Sequence, residues 1–129
     1  MAVAEYKNLT VLKKKGTLLG VPFRSIKEKV LGSDYELSIV FVGPKTAKQL
    51  NIDHRNRDYI PDTLAFPLSK NSGEIIMCES VMRKAYKKSG YDFIKYVKFM
   101  LIHSMLHLKG YSHGSTMERK EKQILKLFT

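Results

Sequence analysis

The spacing of apolar residues predicts a chain of alternating strands and helices. Pro22–Leu31 places Phe23, Ile26 and Val30 three and four positions apart, which is the spacing of an amphipathic helix. Glu36–Val42 is rich in β-branched and aromatic residues and is followed by Gly-Pro, so it is predicted to be a buried strand. The other predicted elements of the first part are an edge strand at Tyr6–Leu12, a helix at Thr46–Asn51, a polar loop at 53–62, and strands at Thr63–Leu68 and Gly73–Cys78.

The last third of the chain has helical spacing from Glu79 onward, with breaks near 89–90 and at Gly110. The longest helix is predicted to run from about Asp92, a candidate N-cap, to Leu108, and Gly110 is the residue expected to end it. The apolar residues of this helix lie on nearly all of its sides, which is typical of a helix in the middle of a protein. Strands separated by helices, followed by a helical third, predict an α/β or α+β fold with one small sheet covered by helices.

Composition predicts one domain over residues 1–129, because the length suits a single domain and no repeat or linker divides the chain. The one cysteine, Cys78, cannot form an internal disulfide, which fits a reducing cytosol and excludes a Cys-rich zinc finger. The N-terminal segment MAVAEYKNLTVLKKKG lacks the apolar centre of a signal peptide. The longest apolar stretch is interrupted by Lys98 and two histidines. We therefore expect a cytoplasmic protein with no membrane span.

The charge of the chain points to a polyanionic partner. Lysine and arginine together number 23, aspartate and glutamate 12, and the formal net charge is +11. Neutralisation of phosphates by such a surface is the usual source of sequence-independent affinity for nucleic acids. A lysine-rich composition with no such partner would give the same balance, so charge favours nucleic acid without establishing it.

Three of the four histidines lie close together at the end of the predicted long helix. His103 and His107 are four residues apart, so both rings leave the same helix face, and a glycine stop at Gly110 lets His113 return toward the same point. One histidine on an apolar helix is usually a core residue, but three at this spacing favour a metal site. Three imidazoles with one open position are typical of catalytic zinc, which lowers the pKa of bound water to about 7. We predict one Zn²⁺ per chain on these three residues, with another transition metal as the alternative.

The spacing His-x3-His-x2-Gly-x2-His is also that of the metzincin proteases. Those enzymes carry a glutamate directly after the first histidine, where it serves as general base, and here that position is Ser104. The absence of this glutamate argues against peptide hydrolysis. The fourth histidine, His54, stands alone in the polar loop and is interpreted as a surface or turn residue.

Three segments of the chain resemble the YbeY family of bacterial endoribonucleases that mature ribosomal RNA. HSMLHLKGYSH, residues 103–113, resembles the family signature HGxLHLxGYDH, with Ser104 and Ser112 in place of the glycine and the aspartate. Leu50–Pro67, LNIDHRNRDYIPDTLAFP, is similar to the family's LNxxYRGKDxPTDVLSFP without a gap. Gly73–Cys78, GEIIMC, resembles the family's GDIxIS. The resemblance covers roughly residues 30–128.

The resemblance implies a mixed, mostly parallel sheet of about four strands covered by about five helices, with the metal on the long helix and the loop after it. It implies a metal-dependent, single-strand-specific endoribonuclease that acts at the 3′ end of 16S rRNA and in ribosome quality control. Ribosomal RNA and the ribosome are the implied partners, with ribosomal or ribosome-associated proteins as further candidates. The arginine of the family's YRGKD string falls on Arg55, whose guanidinium can bind a scissile phosphate. Arg55 and His103 are therefore the predicted catalytic residues.

Two other functions stay open on the sequence alone. The first is a ribosome-associated RNA-binding factor whose zinc is mainly structural; weak activity that survives chelation, combined with RNA affinity that falls steeply with salt, would favour it. The second is another metal-dependent hydrolase acting on a small molecule or a peptide. The missing glutamate and the basic charge argue against this second function.

Overall fold

The computed structural model describes residues 2–129, which form one five-stranded sheet and five α-helices. The strands are β1 (Ala2–Tyr6), β2 (Leu9–Lys13), β3 (Glu36–Phe41), β4 (Thr63–Ser69) and β5 (Ser72–Met77). The helices are α1 (Phe23–Val30), α2 (Pro44–Arg55), α3 (Glu79–Ala85), α4 (Phe93–Leu108) and α5 (Ser115–Leu127), and a 3-10 turn at Tyr86–Ser89 follows α3. The predicted α/β class, with one sheet and covering helices, is confirmed.

The sheet has the strand order β1-β2-β3-β5-β4. The central strand β3 is parallel to both of its neighbours, β2 and β5. The two edge strands, β1 and β4, are antiparallel to the strands beside them. The sheet is therefore mixed, as predicted, but it has one strand more than expected and as many antiparallel pairings as parallel ones.

The extra strand arises in the N-terminal region, where the predicted single strand at Tyr6–Leu12 is wrong. Tyr6 ends β1 and Leu9 begins β2, and these two residues are register partners across a hairpin. Asn8 turns the chain with φ of 63°, a left-handed conformation that asparagine tolerates better than most residues. The turn contains no glycine or proline, so the apolar alternation gave no sign of a break there.

Helix α2 is longer than the predicted Thr46–Asn51. It begins at Pro44, where proline suits the first helical position because its missing N–H has no partner to lose. It ends at Arg55, and Asn56 stops it in the left-handed conformation with φ of 54°. The loop predicted at 53–62 therefore begins only at Asn56, because its first three residues are polar but helical.

Helix α4 lies in the middle of the fold and contacts α1, α5, β4 and β5. Its N-cap is Asp92, as predicted, whose carboxylate accepts the backbone N–H of Lys95 at 2.8 Å. Five of its residues are fully buried: Val97, Leu101, Ile102, Met105 and Leu106. Burial of each such side chain stabilises the fold by roughly 1.5–3 kcal/mol. The complete burial of these five residues confirms the central position predicted for this helix. No helix within residues 2–129 has the length and apolar character needed to cross a bilayer.

Candidate metal centre and its cleft

Three histidine rings meet at the C-terminal end of α4. His103 and His107 lie one helical turn apart, and their Nε2 atoms are 3.1 Å from each other. The ring of His113 lies 4.6 Å from that of His107 and 5.2 Å from that of His103, measured between centroids. Each ring offers one nitrogen to a common point, and these three atoms lie within 4.8 Å of one another. The structure therefore brings together all three residues that the sequence predicts as metal ligands.

The chain returns to this point because of the way α4 ends. The N–H of Gly110 donates to the carbonyl of His107, and the N–H of Tyr111 donates to the carbonyl of Leu106, both at 3.0 Å. This pair of bonds is the Schellman arrangement, which requires a left-handed residue at the position of Gly110. Gly110 has φ of +106°, where a side chain would be strained. The predicted glycine stop is confirmed, and it turns His113 back over the helix end.

The second nitrogen of each helical histidine is held by the protein. His103 Nδ1 lies 2.5 Å from Glu121 Oε1, and His107 Nδ1 donates to the carbonyl oxygen of Tyr111 at 3.1 Å. With the protons on Nδ1, the two Nε2 atoms direct lone pairs toward each other. Such lone pairs repel unless a cation lies between them, and two nitrogens on one tetrahedral zinc are about 3.3 Å apart. The donor set therefore fits a transition-metal ion of the zinc type.

The electrostatics of His107 keep its ring in the form that binds metals. Burial lowers the pKa of His107, and the neighbouring His103 lowers it further. The backbone acceptor at Tyr111 opposes these effects but does not outweigh them. Because only a neutral imidazole has a free lone pair, the lowered pKa favours coordination at neutral pH.

Glu121 is a residue of this site that the sequence reasoning missed. It lies on α5, is only 5% exposed, and its carboxylate is engaged by His103. Charged residues are rarely buried without a partner. Its neighbours on the same helix face, Met117, Ile124 and Leu125, are all buried and apolar. The sequence could therefore have indicated Glu121 by one feature, namely a glutamate on the apolar face of an amphipathic helix.

A cleft of about 460 Å³ opens beside the histidines, between the end of α2, the start of β4 and one side of α4. Arg55, the last residue of α2, lines it, together with Tyr59, Asp62 and Thr63. The left-handed Asn56 directs the chain away immediately after this arginine. No carboxylate within residues 2–129 forms a salt bridge with Arg55. The guanidinium predicted to bind phosphate thus shares a cleft with the histidines and is available to an anion.

The part of the cleft that β4 and α4 form is fixed by hydrogen bonds between them. Ser104 Oγ donates to the carbonyl of Met100 and lies 2.9 Å from Thr63 Oγ1. The hydroxyl of Tyr96 donates to Asp62 Oδ2 at 3.3 Å; burial first and then Asp62 raise the pKa of Tyr96 to about 12. Ser104 is 1% exposed. The side chain at the position of the metzincin glutamate therefore joins α4 to β4.

Two other residues singled out in the sequence lie apart from the ligand set. His54 is exposed on the last turn of α2, with its ring 5.0 Å from that of Phe66, and it does not belong to the three-histidine cluster. Ser112, which stands where the family signature has aspartate, is exposed in the loop before His113. Neither contributes a donor to the common point.

Comparisons with known proteins place the chain in a family. The family described as Endoribonuclease YbeY matches residues 16–129. An Endoribonuclease YbeY of Staphylococcus carnosus is 31% identical over 107 residues, covering 74% of this chain and 70% of the relative. One of Bdellovibrio bacteriovorus is 32% identical over 107 residues, covering 79% and 69%. The solution structure of TM1509 from Thermotoga maritima matches with a TM-score of 0.67 and 26% identity, over 93% of this chain and 87% of that one.

The family match includes every residue of the site, from Arg55 to Glu121. The relatives are named as endoribonucleases, which supports an RNA endonuclease role. On sequence and structure together, the chain belongs to the YbeY family.

Proposed function

We propose that this protein is a metal-dependent, single-strand-specific endoribonuclease with zinc held by His103, His107 and His113. The observation that carries the proposal is the convergence of three imidazoles beside an arginine, Arg55, in one cleft. Family membership supports the nuclease activity, and the donor set supports the metal.

The proposed substrate is the 3′ end of 16S rRNA, in maturation and in ribosome quality control. Ribosomal RNA and the ribosome are then the partners, and the cytoplasm is the compartment. The net charge of +11 supports a polyanionic substrate, because lysines and arginines that neutralise phosphates release counterions from the nucleic acid.

In the proposed mechanism Arg55 binds the scissile phosphate. A guanidinium presents a planar set of donors that matches two phosphate oxygens, and it stabilises negative charge that develops on them. Zinc, when bound, supplies Lewis-acid charge and activates a water molecule. His103 and His107 keep their Nε2 atoms free for the ion because Glu121 and the carbonyl of Tyr111 hold the opposite ring nitrogens.

The first experiment tests the histidines proposed to bind the metal. It measures cleavage of a labelled single-stranded 16S 3′-end fragment together with the metal content of each variant. His103→Ala is expected to lose zinc and to reduce cleavage to background. His54→Ala is the matched control, because this exposed histidine lies outside the cluster, and it should retain both properties. Equal cleavage by His103→Ala and the unmodified protein would remove the site from the mechanism.

The second experiment tests the arginine. Arg55→Met should lower kcat by roughly 10²–10³-fold, because this is the usual effect of removing one hydrogen-bond donor to a developing anion. Zinc content should not change. Arg57→Met removes the same charge from an exposed position two residues away and should have little effect. A duplex of the same sequence should resist cleavage. Only weak cleavage that survives chelation, with RNA affinity that falls steeply with salt, would instead favour an RNA-binding factor with a structural zinc.

A further inference from the structure

A second cleft adjoins the histidine cluster and is not used by the proposed mechanism. Its volume is about 480 Å³, as large as the Arg55 cleft. The two clefts share Met100, His103 and His113, so the metal position lies where they join. A polymer with its reacting phosphate at that point must therefore extend into both clefts or leave one of them unfilled.

The wall of the second cleft is aromatic. Tyr91 and Phe99 line it, with their rings in an edge-to-face arrangement 5.8 Å apart, and the ring of Phe99 lies 6.3 Å from that of His103. A row of rings thus leads from the metal position toward the outside. Both aromatic side chains are half-buried, so each has surface open to a ligand. Aromatic rings of this kind are the usual platforms on which unpaired bases stack.

Lysines continue the path beyond the aromatic wall. A depression of about 210 Å³ shares Tyr91 and Lys122 with the second cleft, and it also contains Lys95 and Lys126. The Lys95 ammonium lies 4.7 Å from the centre of the Tyr91 ring. No aspartate or glutamate side chain within residues 2–129 lines this depression, whose remaining lining residues are Leu125 and Thr129.

Two acidic residues, Glu118 and Glu121, and one lysine, Lys122, line the second cleft itself. Glu121 is already engaged by His103, and Glu118 is exposed. The charges therefore favour an uncharged group in the aromatic cleft and an anion in the lysine depression. A nucleotide has this distribution of charge, with a neutral base and an anionic phosphate.

We propose that the aromatic cleft holds one unpaired base of the RNA next to the phosphate at the histidine cluster, and that the lysine depression holds a phosphate further along. This proposal rests on the proposed function, since it takes RNA as the substrate. A base within a duplex is stacked and paired, so it cannot enter the cleft. The cleft thus supplies a physical reason for single-strand specificity.

The test is binding of a short, end-labelled, single-stranded oligoribonucleotide to the zinc-loaded protein, measured by fluorescence anisotropy. An abasic nucleotide is moved along it one position at a time, and a gel of each sample verifies that the oligonucleotide is still uncleaved when the anisotropy is read. Loss of a stacked base lowers affinity roughly 5- to 150-fold. We expect such a loss at one position only, and 2-aminopurine placed there should be quenched on binding.

The variants connect that position to the cleft. Phe99→Leu and Tyr91→Leu keep apolar volume and remove a ring, so they should weaken binding of the intact oligonucleotide and abolish the penalty of the abasic nucleotide. Tyr86→Leu is the matched control, because this half-buried ring packs against Phe93 outside the cleft. Lys122→Gln should weaken binding of every oligonucleotide equally and reduce its salt dependence.

An even response to the abasic nucleotide, or a position-specific penalty that persists in Phe99→Leu, would overturn the proposal. If RNA is cleaved while the abasic series is flat, the base site fails and the proposed function stands. If the series shows one sensitive position but unmodified RNA is not cleaved, the proposed function fails while the base site stands.

Discussion

Removing the carboxylate of Glu121 should weaken zinc binding although this residue does not touch the metal position. Its Oε1 atom lies 2.5 Å from His103 Nδ1, so it fixes the orientation of the ring and keeps the proton away from Nε2. Glu121→Ala leaves His103 free to rotate and to change tautomer. Glu121→Gln keeps an oxygen that can accept the Nδ1–H but loses the charge.

The expected size follows from the burial of this contact. Partners of metal-binding histidines usually contribute about 10- to 100-fold to metal affinity. Glu121 is 5% exposed, so water replaces its carboxylate poorly, and we expect the upper end for alanine and about 10-fold for glutamine. At free zinc 100 times the Kd, the ion stabilises the unmodified protein by about 2.7 kcal/mol, but a 100-fold weaker variant by only about 0.4 kcal/mol. The zinc-induced rise in Tm should then be smaller by roughly 10 °C.

The assay combines zinc titration by calorimetry with Tm measured with and without zinc. Using the difference between the two Tm values separates metal affinity from any change in the metal-free fold. Glu118→Ala is the matched control, because it removes the same side chain from an exposed position on the same helix. If Glu121→Ala bound zinc as tightly as the unmodified protein, the reasoning about His103 would be refuted.

Three further predictions concern packing and pH. Gly73→Ala should lower the free energy of unfolding by about 1–3 kcal/mol, because its Cβ would meet Tyr35 Oη at 2.5 Å and Leu108 Cδ2 at 3.0 Å; an unchanged urea midpoint would contradict this. Tyr35→Phe should leave stability unchanged or raise it, since this buried hydroxyl has no hydrogen-bond partner within residues 2–129; a loss above about 1 kcal/mol would show that the hydroxyl is needed. Burial and Asp62 raise the pKa of Tyr96 from 10.0 to about 12, so the folded protein is stabilised by the protonated Tyr96 hydroxyl. This stabilisation is complete below pH 10 and is lost as pH rises to about 12. Tyr96→Phe should flatten that part of the denaturation profile, and identical alkaline profiles would count against the effect.

The convergence of the histidines could be predicted because each step depends on local rules. Helical periodicity places His103 and His107 on one face, and a glycine in the left-handed conformation is a common way to end a helix. The central position of α4 likewise followed from apolar residues on all of its sides. The hydrogen bonds of Gly110 and the burial of the helix agree with both expectations.

Contacts between distant segments could not be predicted in the same way. Glu121 reaches His103 only because α5 packs back against α4, and the chain between them changes direction at two glycines of positive φ, Gly110 and Gly114. The N-terminal hairpin was missed because Asn8 supplies its turn without glycine or proline. Arg55 stood out only through the family resemblance, since one arginine among several in a polar segment has no distinguishing pattern. Its place in the cleft depends on the length of α2, which the apolar spacing underestimated.

The charges around the histidines explain why the same ligand spacing suits different reactions. A peptide bond is neutral, so a protease with this spacing gains from a glutamate that takes a proton beside the metal. A phosphodiester is an anion, and a second carboxylate at that place would repel it. Here the corresponding side chain is Ser104, which is bonded to Thr63 and Met100, while Arg55 adds positive charge to the cleft. A cleft that lacks the glutamate and contains an arginine therefore fits the proposed cleavage of RNA. The same difference explains why the histidine spacing alone does not identify the substrate.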